Sequence, residues 1–187
     1  MNSHPGSELL ISFILLLALV AGVAWGFMAR PLRIAPKASI RFFFANMSLS
    51  AGIYLLTVHT SNVSFLNWLL ADIAILSSFM LIGWGIQELF KLHSSVKRDG
   101  LILLFTCLLM LTGHLQQLDP VFLGVVFSVT ATIFLFSASQ HNFQAIQKDF
   151  GIAAACLMSA PLFIATAVFF ARTLILLWPE THADSFV

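Results

Sequence analysis

The chain has 187 residues, of which 59% are hydrophobic and only 9% are charged, and its mean hydropathy is +0.97. A soluble domain needs roughly a quarter of its residues charged, so the composition excludes a soluble globular protein. Nine Lys and Arg residues against eight Asp and Glu give a net charge of +1, and the basic residues are spread along the sequence, which argues against a nucleic-acid partner. The apolar segments are continuous rather than alternating, which excludes a transmembrane β-barrel and leaves a helical bundle in the lipid bilayer.

Six apolar segments predict an all-α, polytopic integral membrane protein with one transmembrane domain over residues 1–187. The six transmembrane helices are expected at about 9–28, 40–59, 65–90, 100–115, 121–139 and 151–178. The loops after the first, third and fifth segments contain Lys or Arg, whereas the other loops and both termini contain none. Because basic loops stay in the cytoplasm, we expect the N-terminus and the C-terminus outside, in a bacterial inner membrane. No basic residue precedes the first segment, so we expect a retained helix rather than a cleaved signal peptide.

The third segment contains two carboxylates, Asp72 and Glu88. An ionisable group at the bilayer centre costs about 2.5 to 3.5 kcal/mol, so it usually has a partner or a function. At about 1.5 Å per residue, Asp72 lies about 10 Å from the outer end of its segment, and Arg172 lies about 9 Å from the outer end of the sixth. The equal depth predicts that the third and sixth segments are in contact near their outer ends.

The equal depth of Asp72 and Arg172 has two interpretations. In the first, Asp72 and Arg172 form a buried ion pair that fixes the helix register. In the second, they line a ligand-binding pocket open to the outside, together with His59, His114 and Gln117. Arg172 would then hold a small anionic or lipid-like ligand, because its guanidinium matches a carboxylate or a phosphate. The two histidines would make binding depend on pH.

At the cytoplasmic side, Arg41 and Glu88 are expected to form a structural ion pair. Asp72 and Glu88 are sixteen residues apart, about 24 Å along a helix, which excludes a catalytic pair of carboxylates. No close ligand spacing such as HxxxH supports a metal site, and no cofactor is expected. No nucleophile with a nearby base and no HExxH motif occurs, so we do not expect an enzyme.

Three stretches carry a resemblance to a known family: ARPLRIAPKASIRFFFANMSLSAGIYLL, NWLLADIAILSSFMLIGWGIQELFKL and FFARTLILLW. They resemble the N-terminal multi-helix membrane region of certain bacterial GGDEF-type diguanylate cyclases, through positions such as Arg41, Asn46, Asp72, Gly83, Gln87, Phe90 and Arg172. No GG[DE]EF sequence occurs here, so cyclase activity does not carry over.

The resemblance implies a non-enzymatic membrane sensory or signal-input module, and the chain then looks like a truncated relative of a longer signalling protein. A homo-oligomer or a separate cytoplasmic output protein would be its partner. The alternative is a small transporter or channel subunit. That function calls for polar residues that continue through the midplane, whereas the charged residues around Asp72 stay in the outer third.

Overall fold

The structure, a computed structural model, describes residues 5–58 and 65–178. Within these two ranges the chain forms six α-helices and no strand. The helices are α1 (Pro5–Ala29), α2 (Pro36–Val58), α3 (Phe65–Leu89), α4 (Val96–Leu115), α5 (Pro120–Phe150) and α6 (Ile152–Leu177). All six are long and apolar enough to cross a membrane. The predicted all-helical architecture is therefore confirmed for the described residues, and it indicates a multi-pass membrane protein.

Proline and glycine set several helix ends. The helix α1 ends at Ala29, just before Pro31, which cannot continue the hydrogen-bonded ladder. Pro36 begins α2. Proline lacks an N–H, but an N–H at the first position of a helix has no partner within the helix, so no hydrogen bond is lost. Gly151 alone separates α5 from α6, with φ of 87°, a left-handed conformation that glycine adopts without strain. Its N–H donates to the Gln147 carbonyl at 3.1 Å and closes the last turn of α5.

Four helices differ from their expected bounds by four residues or more, and two of them, α1 and α2, begin at Pro5 and Pro36 instead of at 9 and 40. The helix α4 begins at Val96, four residues before the expected start at 100. The helix α5 continues to Phe150, so residues 140–150, expected to form a loop, are helical. With 31 residues, α5 is about 46 Å long and exceeds the roughly 30 Å of a hydrocarbon core. The polar residues after 139 thus belong to a helix that extends past the apolar layer, rather than to a loop.

Consecutive helices run antiparallel and pack in the order α1, α2, α3, α5, α6, while α4 lies against α3 and α5. Trp25 of α1 packs on Phe42 of α2 with ring centroids 4.6 Å apart. At the other side of the row, the Asn142 amide of α5 donates to the Ser159 hydroxyl of α6 at 3.1 Å. The Cα atoms of α3 and α6 do not approach within 8 Å in the described ranges. The expected contact of these two helices near their outer ends is therefore not a close approach of their backbones, because α6 packs on α5 and reaches α3 only through side chains.

The antiparallel order gathers the basic residues at one end of the bundle. The end where α1, α3 and α5 finish and α2, α4 and α6 begin is called the basic end. It holds eight of the nine Lys and Arg residues: Arg30, Arg33, Lys37, Arg41, Lys91, Lys97, Arg98 and Lys148. The ninth, Arg172, lies towards the other end, which is called the opposite end.

The core lies between α3, α4 and α5. It is formed by six buried side chains, Leu76, Met80, Met110, Phe127, Ala131 and Phe134. The helix α6 reaches this core through Phe169, whose ring centroid lies 5.4 Å from that of Phe79 in α3. The same ring lies 5.9 Å from Phe127 in α5. Aromatic side chains therefore join α6 to the core across a gap that its backbone does not close.

Candidate functional site

A pocket of about 610 Å³ lies near the opposite end, between α3, α4, α5 and α6. Its size falls in the range of small-molecule sites, about 300 to 1,000 Å³. The wall is mostly apolar and includes Trp68, Leu69, Met110, Leu123, Phe127 and Leu176. Three ionisable side chains, Asp72, His114 and Arg172, complete it. An apolar pocket with few polar groups suits a ligand with an apolar body and a polar head.

The turn between α4 and α5 shapes one wall of this pocket. The Asp119 carboxylate accepts a hydrogen bond from the Val121 N–H at 2.8 Å and caps the start of α5. The Gln117 N–H donates to the His114 carbonyl at 2.9 Å, and Gln117 has a left-handed φ of 54°. These contacts fix the end of α4, where His114 faces the pocket. On the far wall, a Cβ at Gly124 would lie 3.2 Å from Leu176, so α5 and α6 are closely packed there.

Asp72 and Arg172 approach the pocket from different helices and do not form a salt bridge with each other. The Arg172 guanidinium carbon lies 5.7 Å from the centroid of the Phe127 ring, which is a cation–π contact. Asp72 is partly buried and Arg172 is exposed. Neither side chain has a hydrogen-bond partner among the described residues. The pocket therefore presents two separate charged groups of opposite sign that a ligand can contact.

The structure brings three of the five predicted ligand-binding residues together. Asp72, His114 and Arg172 line the same pocket. Gln117 is exposed in the turn after α4 and does not line the pocket. His59 lies outside the described residues. Depth counted along the helices thus placed Asp72 and Arg172 at one level, while the groups between them belong to α4 and α5.

Arg41 and Glu88 meet at the basic end. An Nη of Arg41 lies 3.2 Å from the Glu88 carboxylate, and the other donates to the Trp84 carbonyl at 2.9 Å. The Arg41 guanidinium also lies 6.0 Å from the centroid of the Trp84 ring. Lys37 approaches the same carboxylate at 3.9 Å. These contacts join the start of α2 to the last turns of α3.

A second group of polar side chains at the basic end was not predicted. Asp99, in the first turn of α4, is only 5% exposed. Its carboxylate accepts hydrogen bonds from Trp84 Nε1 at 3.1 Å and from the Ser95 hydroxyl. It also forms a salt bridge with Arg98 at 3.0 Å. Arg98 in turn donates to the Ser137 hydroxyl of α5 at 3.0 Å.

Gln87 extends this group towards α5. Its side chain is 2% exposed, and its Nε2 donates to the Ser95 hydroxyl at 2.7 Å. Its Oε1 accepts from the Ser95 N–H at 3.0 Å. Nε2 also lies 3.5 Å from Nδ1 of His141. We call Trp84, Gln87, Ser95, Arg98 and Asp99 the polar lock, because satisfied buried hydrogen bonds hold helix ends in one arrangement.

The sequence contains one signal for the polar lock. Lys97, Arg98 and Asp99 directly precede the fourth apolar segment, and a helix that begins one turn earlier turns Asp99 inward. An acidic residue in the first turn also suits the helix dipole. The expected start at 100 left Asp99 in a loop, where a charged side chain is exposed to water.

Among the described residues, no group of three His, Cys, Asp or Glu side chains is placed to hold a metal ion.

Comparison with known proteins gives no family. No protein-family model matches the chain, no curated protein matches it, and no solved structure matches its fold. The resemblance to the membrane region of diguanylate cyclases therefore stays a prediction.

Proposed function

We propose that the protein is a non-enzymatic membrane sensory module that binds a small anionic amphiphile in the pocket at the opposite end. The observation that carries the proposal is the arrangement of Asp72 and Arg172. Both line one apolar pocket, and they form no salt bridge with each other. A pair that served only to fix helix register would be expected in direct contact, because each charge must offset the desolvation of the other.

The sign of the ligand follows from the chemistry of the two groups. A guanidinium keeps its charge in any surroundings, whereas a carboxyl group can be neutralised by one proton. Arg172 is held against Phe127, and its N–H donors have no partner among the described residues. A carboxylate or phosphate head would accept from Arg172 while its apolar chain contacts side chains such as Leu69 and Leu176. A hydrogen-bond donor on the same head group would donate to the Asp72 carboxylate.

The distribution of basic residues supports an orientation. Eight of nine Lys and Arg residues lie at the basic end, which the positive-inside rule assigns to the cytoplasm. Six crossings then leave both termini outside, and the pocket opens on the outer side of a bacterial inner membrane. The last turns of α5 would extend into the cytoplasm. Such an extension offers a surface for a separate output protein or for a second copy of the chain.

Three helices connect the pocket at the opposite end to the polar lock at the basic end. The pocket contains residues of α3, α4 and α5, and the polar lock joins the same three helices at the basic end. A ligand shifts helix packing only if it binds one arrangement better than the other. We propose that ligand binding favours one spacing of these helices at the opposite end and so changes the contacts of the polar lock.

Polar side chains in the midplane bear on the alternative of a transporter or channel. The Thr130 hydroxyl donates to the Val126 carbonyl at 2.9 Å, one turn back in its own helix. The Thr166 hydroxyl does the same with the Leu162 carbonyl at 2.8 Å. Each of these hydroxyls donates its proton within its own helix. Sensory binding is proposed ahead of transport because Asp72, His114 and Arg172 lie towards the opposite end, and no charged residue continues their group through the midplane.

The proposal is tested by thermal unfolding of the purified full chain in a mild detergent with three probes of equal chain length: decanoate, decanol and decylamine. We expect decanoate to raise the melting temperature most, and we expect Arg172→Gln to abolish that rise. Lys148→Gln, which removes an exposed charge at the basic end, should retain it. Equal shifts for all three probes, or a larger shift with decylamine, would overturn the proposal. Protein-dependent ion flux in proteoliposomes would support a channel instead.

A further inference from the structure

A second pocket lies at the basic end, between α1 and α2, and has a volume of about 320 Å³. It is lined by Gly26, Ala29, Arg30, Ile40, Phe43 and Phe44. Within the described ranges α1 packs only against α2. The second pocket is therefore separate from the one that contains Asp72 and Arg172, and its occupation does not depend on the proposed function.

The charge at the mouth of the second pocket is not neutralised. The Arg30 side chain is exposed and has no hydrogen-bond or salt-bridge partner among the described residues. The Glu88 carboxylate at this end of α2 is engaged elsewhere, because it lies 3.2 Å from Arg41 and 3.9 Å from Lys37. The Arg30 guanidinium is thus left to bind an anion.

The rest of the second pocket is apolar and lies on the outer surface of the bundle. Phe44 is 54% exposed and Ile40 is 41% exposed. Gly26 lets the Phe43 ring lie close to the α1 backbone, since a Cβ there would be only 3.3 Å from the ring. The pocket therefore combines a cationic mouth with apolar walls that continue onto the surface of two helices predicted to cross the membrane. A soluble anion would use the mouth and leave these walls exposed.

We propose that the second pocket is a binding site for an anionic phospholipid. Its phosphate accepts hydrogen bonds from Arg30, whose planar guanidinium matches a phosphate. Its acyl chain lies against Phe43 and Phe44. Basic pockets between transmembrane helices on the cytoplasmic side are known to take anionic lipid headgroups. The occupant is a lipid rather than a free phosphate because the apolar walls contribute only when an acyl chain covers them.

The test uses the purified full chain in detergent micelles, titrated with phosphatidylglycerol or phosphatidylcholine of identical acyl chains and observed by native mass spectrometry. We expect one tightly retained phosphatidylglycerol per chain and weaker retention of phosphatidylcholine. Arg30→Gln should weaken the retention of phosphatidylglycerol at least about fivefold, as expected for the loss of one basic contact near the headgroup. Arg30→Lys should weaken it less, since the charge remains.

Lys148→Gln is the matched control, because it removes an exposed basic residue from the same end but on α5, outside the second pocket. It should leave retention unchanged. Melting temperatures of all variants, measured alongside, verify that each chain is folded. Equal losses in Arg30→Gln and Lys148→Gln, or equal retention of the two lipids, would overturn the proposal in favour of diffuse surface charge. Displacement of the lipid by millimolar inorganic phosphate would show that the site binds the phosphate group alone. That result would also contradict the proposal of a lipid site.

Discussion

The guanidinium carbon of Arg172 lies 5.7 Å from the centroid of the Phe127 ring, in the wall of the pocket that also contains Asp72. The negative face of the ring attracts the cation. Arg172 thus has a contact partner other than the carboxylate of Asp72, with which it forms no salt bridge. This arrangement differs from an ion pair in which two charges in direct contact close the gap between two helices.

The first prediction concerns the energetic coupling of these two charges. Asp72→Asn, Arg172→Gln and the double variant should show a coupling energy below about 1 kcal/mol, because the two side chains do not touch. A buried ion pair behaves otherwise: breaking it from one side costs about 3 to 5 kcal/mol, and the double variant recovers much of that loss. Equilibrium unfolding in mixed micelles with rising dodecyl sulfate gives the four free energies. Strong coupling would count against the pocket.

The second prediction concerns the packing of α2 on α3. A Cβ at Gly52 would lie 2.7 Å from Ile75 Cγ1 and 3.0 Å from the Ala71 carbonyl oxygen, which cannot move away alone. Gly52→Ala should therefore lower the free energy of unfolding by about 1 to 3 kcal/mol. Gly100→Ala is the control, since a Cβ there meets nothing within 4 Å. It should be neutral or stabilise the chain by up to about 1 kcal/mol through helix propensity. Similar losses in both variants would contradict the close approach.

The third prediction concerns the polar lock. Asp99→Ala leaves Trp84 Nε1 and the Ser95 hydroxyl without their acceptor, so it should lower the free energy of unfolding by about 1 to 3 kcal/mol. Asp149→Ala removes an exposed carboxylate from the last turns of α5 and should change it by less than about 0.5 kcal/mol. Denaturant midpoints of the two variants and the parent chain supply the comparison. Equal stability of all three would mean that the buried hydrogen bonds of Asp99 contribute nothing.

The existence of six helices could be predicted because long apolar runs leave the backbone no other way to satisfy its hydrogen bonds in a membrane. The end of α1 was predicted to within one residue, just before Pro31, whereas α2 begins at Pro36 rather than at the expected residue 40. The predicted end of α5, at 139, was wrong because the polar residues in 140–150 were interpreted as a loop. No proline or glycine occurs in 140–150, and the helix continues to Phe150. Hydropathy predicts the part of a helix that lies within the bilayer, and the helix itself can continue beyond that part.

The lateral arrangement was not accessible to the same reasoning. Counting residues gives a depth along each helix, and it placed Asp72 and Arg172 at one level. It says nothing about which helices are neighbours, so the intervening position of α5 and the contribution of Phe127 were missed. The polar lock depends on the same information, because Gln87 and Ser95 meet only when α3 and α4 take their places.

The most direct test of the central claim, a ligand held between Asp72 and Arg172, is quenching of tryptophan fluorescence by a brominated decanoate. Trp68 lines the pocket, so bromine there should quench part of the emission, and excess unbrominated decanoate should restore it. Trp68→Phe should remove the restorable part, and Arg172→Gln should shift its midpoint to higher concentration by about tenfold or more, as expected for a lost charge-assisted contact. Restorable quenching that survives Trp68→Phe, or a midpoint unchanged in Arg172→Gln, would contradict the account.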